Sequence, residues 1–128
     1  MAFAPLPPST VELEGPYAHD FVHTRGIRLH VATAGESTQP LVVLIHSAFG
    51  GWFDYQDVIA PLAQRGFHVA AVDMRGFGMS DKPPIDAGQD IRTLVGDISG
   101  LIQALGHDDA FVVGADTGGA VAWCLAAE

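Results

Sequence analysis

The residues best suited to covalent chemistry lie between positions 110 and 123, where a short apolar run meets a turn of small residues. The turn reads Gly114-Ala115-Asp116-Thr117-Gly118. Glycines on either side of one residue permit a sharp turn between a strand and a helix, and the central side chain is then exposed. A carboxylate at the N-terminal end of the following helix stays ionised because the helix dipole is positive there. The pattern therefore predicts Asp116 as a nucleophile.

The same residues support a second, purely structural interpretation. Asp is a favoured N-cap, so the side chain of Asp116 would satisfy the first amides of the helix. Gly118 and Gly119 would then only allow the helix to pack closely on the strand. The turn by itself leaves both interpretations open.

Composition narrows the classes of partner. The chain has 128 residues, which is one domain at most, and 48% of them are hydrophobic, enough to fill a core. Fifteen acidic residues against six basic ones give a net charge of -9, and no cluster of Lys or Arg is present. Because such a surface repels phosphate backbones and anionic lipid, we expect no nucleic-acid partner and no membrane partner.

The single cysteine, Cys124, excludes an internal disulfide and is predicted to be a buried thiol on an apolar helix. The first residues carry neither a positive region nor a long apolar core, so they predict no signal peptide and no anchor. We expect a protein of the cytoplasm.

The elements that must position Asp116 begin after a proline-rich stretch at residues 1–16, which predicts an extended N-terminal arm. Residues 21–24 and 27–32 predict a half-exposed antiparallel hairpin, because Ile27, Leu29 and Val31 alternate with less apolar positions. From Pro40 onward the pattern changes. Leu41–Ile45 is apolar at every position, which is typical of a strand buried between two helical layers.

Strands and helices then alternate to the end of the chain. We predict a helix over 52–64 whose start is late or kinked because of Pro61, a buried strand over 67–72 and a loop over 73–84. A second helix carries apolar residues from Ile91 to Leu105, with Asp86 or Asp90 near its start, and a strand over 110–113 and a helix over 117–128 follow. This order predicts an α/β three-layer fold with a mostly parallel sheet.

Three landmarks resemble the N-terminal half of an α/β-hydrolase, over residues 17–128. The run His46-Ser47-Ala48-Phe49-Gly50-Gly51 after a buried strand resembles the segment that supplies part of the family's oxyanion hole. Residues 73–80 are similar to the family's Asp-x-Arg-Gly-x-Gly-x-Ser loop, and residues 114–119 to its nucleophile elbow. The resemblance implies that a C-terminal segment or a second chain completes the fold.

An Asp at the elbow resembles epoxide hydrolases and haloalkane dehalogenases, which form an ester on that Asp and hydrolyse it. The resemblance implies an oxyanion hole built from the amides of Thr117 and of Ala48 or Phe49. It also implies that a base His, its acidic partner and a cap lie beyond residue 128, and that neither a metal nor a cofactor is needed. Thr117 stands where dehalogenases carry a halide-binding Trp, so a small apolar epoxide is the favoured substrate. A haloalkane, or a non-catalytic protein that binds a ligand, remains the alternative.

The other candidates have mainly structural interpretations. His46 is predicted to order the oxyanion loop by hydrogen bonding. The remaining histidines lack metal-ligand spacing and are predicted to be solvated or packed at strand edges and turns: His19, His23, His30, His68 and His107. Asp73 and Arg75 either pair with each other or simply form a turn. Trp52, with Phe49 and Phe53, lines an apolar substrate pocket or packs in the core.

Overall fold

The computed structural model describes residues 13–84 and 90–127, which form a mixed five-stranded sheet covered by helices. The strands are β1 (Ala18–Thr24), β2 (Ile27–Ala34), β3 (Leu41–Ile45), β4 (His68–Val72) and β5 (Phe111–Gly114). The α-helices are α1 (Ile59–Gln64), α2 (Ile91–Ala104) and α3 (Thr117–Ala126), and a short 3-10 helix spans Trp52–Tyr55. This order confirms the predicted alternation of strands and helices.

The strands lie in the order β1-β2-β4-β3-β5 across the sheet. β3 pairs in parallel with β4 and with β5, whereas β2 pairs antiparallel with β1 and with β4. Among the described strands, β2 alone therefore runs in the opposite direction. Ile45 is in register with Val72 on one side and with Gly114 on the other. The carboxyl ends of β3, β4 and β5 thus meet at one edge, where ligand crevices form in open α/β sheets.

Each face of the sheet carries its own apolar cluster. One cluster joins the sheet to α2 and α3 and includes Leu29, Val43, Ile98, Leu101 and Val121. The other joins the opposite face to α1 and the 3-10 helix and includes Val42, Leu44, Trp52, Ile59 and Val69. The successive residues of β3 alternate between the two clusters, so a continuous apolar run is what a strand between two layers requires. The three-layer architecture is confirmed.

The β1–β2 hairpin is confirmed, with Arg25 (φ 52°) and Gly26 (φ 76°) forming its left-handed two-residue turn. The predicted half exposure is wrong for β2. His30 and Ala32, at the positions expected to be less buried, have no exposed surface. β2 is paired on both sides and its central part is covered on both faces, so His30 faces the interior, whereas Arg28 near the start of the strand is partly exposed.

The helix predicted over 52–64 is divided into the 3-10 helix and α1, which begins late at Ile59 and carries Pro61 in its first turn. A proline is tolerated there because the amide hydrogen that it lacks would have no partner within the helix.

α2 follows Asp90, whose carboxylate accepts a hydrogen bond from Thr93 N at 2.9 Å. Asp86, the other candidate for that position, lies outside the described residues, as do residues 1–12 of the predicted arm.

The prediction of a buried thiol at Cys124 is wrong, because the side chain lies on the exposed side of α3. α3 is apolar on nearly all sides, so the sequence pattern does not distinguish its buried face from its exposed one.

In the described ranges no helix is both long enough and apolar enough to cross a bilayer.

Candidate active site

Asp116 lies in the turn between β5 and α3 with φ 57° and ψ -118°. A non-glycine residue in such a conformation carries a strain on the order of 1–3 kcal/mol, which only the surrounding packing can maintain. Its side chain is exposed and makes no hydrogen bond to the first amides of α3. Asp116 therefore does not act as the side-chain N-cap that the structural interpretation requires.

The two glycines of the turn are required by close approach of backbone segments. A Cβ on Gly114 would overlap the carbonyl oxygen of Gly118, and a Cβ on Gly118 would overlap that of Ile45 at the end of β3. Ala115 N donates to the same Ile45 oxygen at 3.3 Å, which extends the pairing of β5 with β3 into the turn. The turn that carries Asp116 is thus pressed directly against the end of β3.

The loop that leaves β3 reaches the Asp116 carboxylate. Ala48 N donates to Asp116 Oδ2 at 3.4 Å, a long hydrogen bond between residues 68 positions apart in the chain. Phe49, the next residue, is fully exposed, and Thr117 is the first residue of α3. The structure therefore brings Ala48 and Thr117 next to Asp116.

His46 is buried at the start of this loop, and both of its ring nitrogens are occupied. Met74 N donates to His46 Nε2 at 2.9 Å, so that nitrogen carries no proton. Nδ1 must then hold the proton, and it donates to Ser47 O at 2.7 Å. The ring connects the loop after β3 with the loop after β4, and it has no nitrogen free for proton transfer.

Asp73, the first residue after β4, is a second buried anchor of the loop after β3. It has no exposed surface, and its carboxylate accepts hydrogen bonds from Trp52 N at 2.9 Å, Met79 N at 3.1 Å and His30 Nδ1 at 2.8 Å. Burial alone would raise the pKa of Asp73, but these donors and the nearby His30 charge outweigh burial and lower it. Asp73 is therefore a buried anion.

The suggested pairing of Asp73 with Arg75 is wrong. Arg75 instead donates to Asp97 of α2, with Nε 2.7 Å from one carboxylate oxygen and Nη2 3.0 Å from the other. The hydrogen bond and charge of Asp97 raise the pKa of Arg75 despite partial burial. Successive residues of a loop point in different directions, so Asp73 and Arg75 each have a different partner.

The assignment of His30 to a solvated or edge position missed a link to the site. His30 is fully buried on β2, and its Nε2 lies 2.8 Å from Nδ1 of His19 on β1. In the sequence, the only indication of this role is a polar side chain between the apolar residues Leu29 and Val31. Its partner Asp73 is 43 residues away, so no local pattern indicates the contact. Trp52 is 3% exposed and lies edge-on to both imidazoles, so its contacts within the described residues are those of core packing.

His68 and His107 form a second histidine pair at the opposite end of β4. His68 Nδ1 lies 2.9 Å from His107 Nε2. Burial and the charge of His107 lower the pKa of His68, which favours a neutral ring.

The turn at Asp116, the adjoining loop after β3 and the sheet order together resemble a known protein family. A family profile described as "alpha/beta hydrolase fold" matches residues 40–128. The chain belongs to the alpha/beta hydrolase fold family. Its sequence is 47% identical over 106 residues to an AB hydrolase superfamily protein of Bacillus subtilis, a match that covers 83% of this chain and 37% of that protein. It is 39% identical over 110 residues to epoxide hydrolase B of Mycobacterium tuberculosis, with 84% and 31% covered.

Solved structures of this family agree with the fold. An epoxide hydrolase from Vigna radiata superposes with a TM-score of 0.81 at 36% identity, covering 86% of this chain and 35% of that one. An epoxide hydrolase from an endophytic Streptomyces superposes with a TM-score of 0.84 at 34% identity, covering 89% and 34%. This alpha/beta hydrolase chain thus spans about a third of the length of these relatives.

Proposed function

We propose that the chain supplies the nucleophile of a hydrolase that forms a covalent ester through Asp116, and that its substrate is a small, apolar epoxide. The observation that carries the proposal is the strained backbone of Asp116, at φ 57°, with a carboxylate that is not used as a helix cap. Strain of this kind is typical of functional sites. The substrate class comes from the relatives and solved structures that are named epoxide hydrolases.

The proposed reaction has two steps. An oxygen of the Asp116 carboxylate attacks one ring carbon of the epoxide, the carbon–oxygen bond of the ring breaks, and the ring oxygen takes a proton from an acid. Water then attacks the carbonyl carbon of the new ester while a base accepts its proton. The tetrahedral intermediate expels the alkyl oxygen, which takes up a proton to complete a diol, and the carboxylate is restored. Neither a metal nor a cofactor takes part.

The backbone amides near Asp116 are proposed to stabilise that intermediate. Thr117 N and an amide of the Ala48–Phe49 segment are the candidate donors, and Ala48 N already donates to Asp116 Oδ2 at 3.4 Å. Such donors are effective because they are oriented before charge develops. His46 is proposed to hold their loop in place. Trp52, which follows the same loop and packs against His19 and His30, is proposed to line the base of the substrate pocket.

The base, its acidic partner and the proton donor are proposed to come from a C-terminal segment or a second chain that completes the sheet. β5 is one of the two outer strands of the described sheet, and large apolar side chains on β5 and on the neighbouring α3 are exposed: Phe111 at 62%, Val113 at 46% and Trp123 at 81%. Water-exposed apolar strand edges favour pairing with another strand.

A cytoplasmic location is also part of the proposal, since Cys124 is the single cysteine of the 128 residues and a free thiol suits a reducing compartment.

A single turnover in water labelled with oxygen-18 tests the proposal in the protein together with its completing segment. Ester hydrolysis at the carbonyl carbon places the label in the Asp116 carboxylate and leaves the first diol unlabelled. The intact mass should also rise transiently by one substrate, and Asp116→Asn should abolish this adduct while Asp108→Asn, at an exposed position, keeps it. Label found in the first diol instead would contradict the nucleophile assignment.

Two further readouts separate the alternatives. Release of halide from a haloalkane, without epoxide opening, would identify a dehalogenase. Ligand binding that is unchanged by Asp116→Asn, with no adduct on any epoxide, would indicate a non-catalytic binding protein.

A further inference from the structure

A continuous row of hydrogen bonds joins the loop after β4 to the segment that precedes β1. His30 Nδ1 lies 2.8 Å from Asp73 Oδ2, His30 Nε2 lies 2.8 Å from His19 Nδ1, and His19 Nε2 lies 2.7 Å from Leu13 O. Asp73 and His30 are fully buried, and the Trp52 ring packs at a steep angle against both histidines. The Asp73–His30 part of the row is therefore shielded from water, whereas His19 is partly exposed.

These contacts determine how many protons the two imidazoles hold. A carboxylate and a carbonyl oxygen only accept, so His30 Nδ1 and His19 Nε2 must each carry a proton. The hydrogen bond between the two rings requires one more proton, on either His30 Nε2 or His19 Nδ1. Two neutral imidazoles carry only two protons in total, so the three hydrogen bonds require one additional proton and hence one positive charge. The Asp73 carboxylate is the opposite charge that makes such a buried cation tolerable.

Asp73 carries the effect of this charge to the nucleophile site. Its other oxygen accepts from Trp52 N, at the end of the loop that contains Ala48, and a Cβ on Gly51 would lie 3.0 Å from that oxygen. Because Gly51 and Gly78 have no side chains, they leave space for the Asp73 carboxylate. A shift of Asp73 would therefore move the loop whose Ala48 amide contacts Asp116.

We propose that His19 and His30 share one extra proton and that His30 is a positioning residue, because it holds the Asp73 carboxylate that anchors the loop carrying Ala48. The inference deepens the function proposed for Asp116 and rests on it. Among the described residues, the titratable side chains in hydrogen-bond or ring contact with the pair are Asp73 and Tyr17. Phe21 and Trp52 supply the apolar contacts.

The His68–His107 pair is a matched internal control. It has the same contact between two ring nitrogens, at 2.9 Å, but no carboxylate of the described residues hydrogen-bonds to either ring. A single hydrogen bond between two rings needs no extra proton. The contacts therefore assign two ring protons to this pair and three to the His19–His30 pair.

Nitrogen-15 spectra of the histidine side chains test the proton count directly. At neutral pH we expect three protonated ring nitrogens on His19 and His30 together, and two on His68 and His107. Only two protonated ring nitrogens on His19 and His30 together at neutral pH would overturn the shared charge.

The positioning role is tested in the assembled protein with His30→Ala and His30→Asn. Asn places a neutral donor near the position of Nδ1, so it should keep the bond to Asp73. We expect His30→Ala to shift the Ala48 amide resonance and to lower kcat by up to about 100-fold, the effect of small misplacements at a reacting site. KM should change much less. His30→Asn should recover most of kcat, and His107→Gln should change neither quantity.

An Ala48 resonance that stays in place in His30→Ala would overturn the positioning role, as would a loss of stability with unchanged kcat. The spectra do not depend on turnover, so they decide the inference even if no adduct forms on Asp116. Absence of that adduct in the wild-type protein, with three protons present on the histidine pair, would count against the proposed function alone.

Discussion

The carboxylate of Asp116 is exposed because two glycines on either side of it allow the turn to pack on β3. Gly118→Ala should therefore disturb the site, since the new methyl group would overlap the carbonyl oxygens of Ile45 and His46. We expect a loss of stability of about 1–3 kcal/mol, typical of overpacking, together with loss of the proposed ester adduct. Urea unfolding and intact-mass spectra measure the two effects.

Gly119→Ala is the matched control, because a Cβ there would meet its nearest atom at 3.4 Å, an ordinary contact. Alanine is the better helix former by up to about 1 kcal/mol, so this variant should be at least as stable as the wild type. Equal effects of the two substitutions would contradict the close-approach explanation.

Asp73 makes the stability of the protein depend on pH. Because its folded pKa lies below the ordinary value of 3.8, its contribution is fully present above that value and is lost as the pH falls through the folded pKa. Asp73→Asn should cost about 3 kcal/mol at neutral pH, the lower end for removal of one partner of a buried pair. The difference from wild type should shrink below pH 3.8. Unfolding curves across this range, with Asp108→Asn as an exposed control, provide the measurement.

At the scale of elements, the Arg75–Asp97 ion pair holds the loop after β4 to α2. Arg75 binds both oxygens of Asp97, and Asp97 is buried on α2. Removing the carboxylate leaves a largely buried guanidinium without its partner.

We therefore expect Asp97→Asn to destabilise the protein by about 3 kcal/mol, as measured by chemical unfolding. Asp109→Asn, at an exposed position just before β5, should have little effect. A stability for Asp97→Asn within error of wild type would show that the pair adds nothing to the docking of the loop.

At the scale of the whole molecule, the exposed apolar surface around β5 and α3 is the proposed contact surface for the completing segment. Trp123 is 81% exposed, whereas Trp52 is 3% exposed. In a Trp52→Phe variant, the fluorescence of Trp123 should shift to shorter wavelength when the completing segment is added. An unchanged spectrum would contradict the proposed location of that segment.

Residues 1–128 alone should self-associate through the same surface, because an unpaired apolar strand edge favours pairing with another copy. Sedimentation of the isolated chain measures this, and Trp123→Gln should reduce the association. A chain that stays monomeric and active without any partner would contradict the proposed need for a completing segment.

The sequence by itself determined the fold class, the order of elements and the position of the turn at Asp116. These follow from local signals: the continuous apolar run of β3 indicates a strand between two layers, and Gly114 and Gly118 indicate a close turn. The late start of the helix within residues 52–64 was also predicted, because Pro61 restricts the backbone locally and needs no distant contact to do so.

Only the tertiary structure decided which polar groups meet. His30 lies on an interior strand because β2 pairs with β4 as well as with β1, and this places it against Asp73. Arg75 binds Asp97 for a similar reason, since α2 packs beside the loop after β4. The exposure of Cys124 depends on which face of an almost uniformly apolar helix is covered. These contacts join residues far apart in the chain, and the pairing of strands and layers brings them together, so no local pattern contains them.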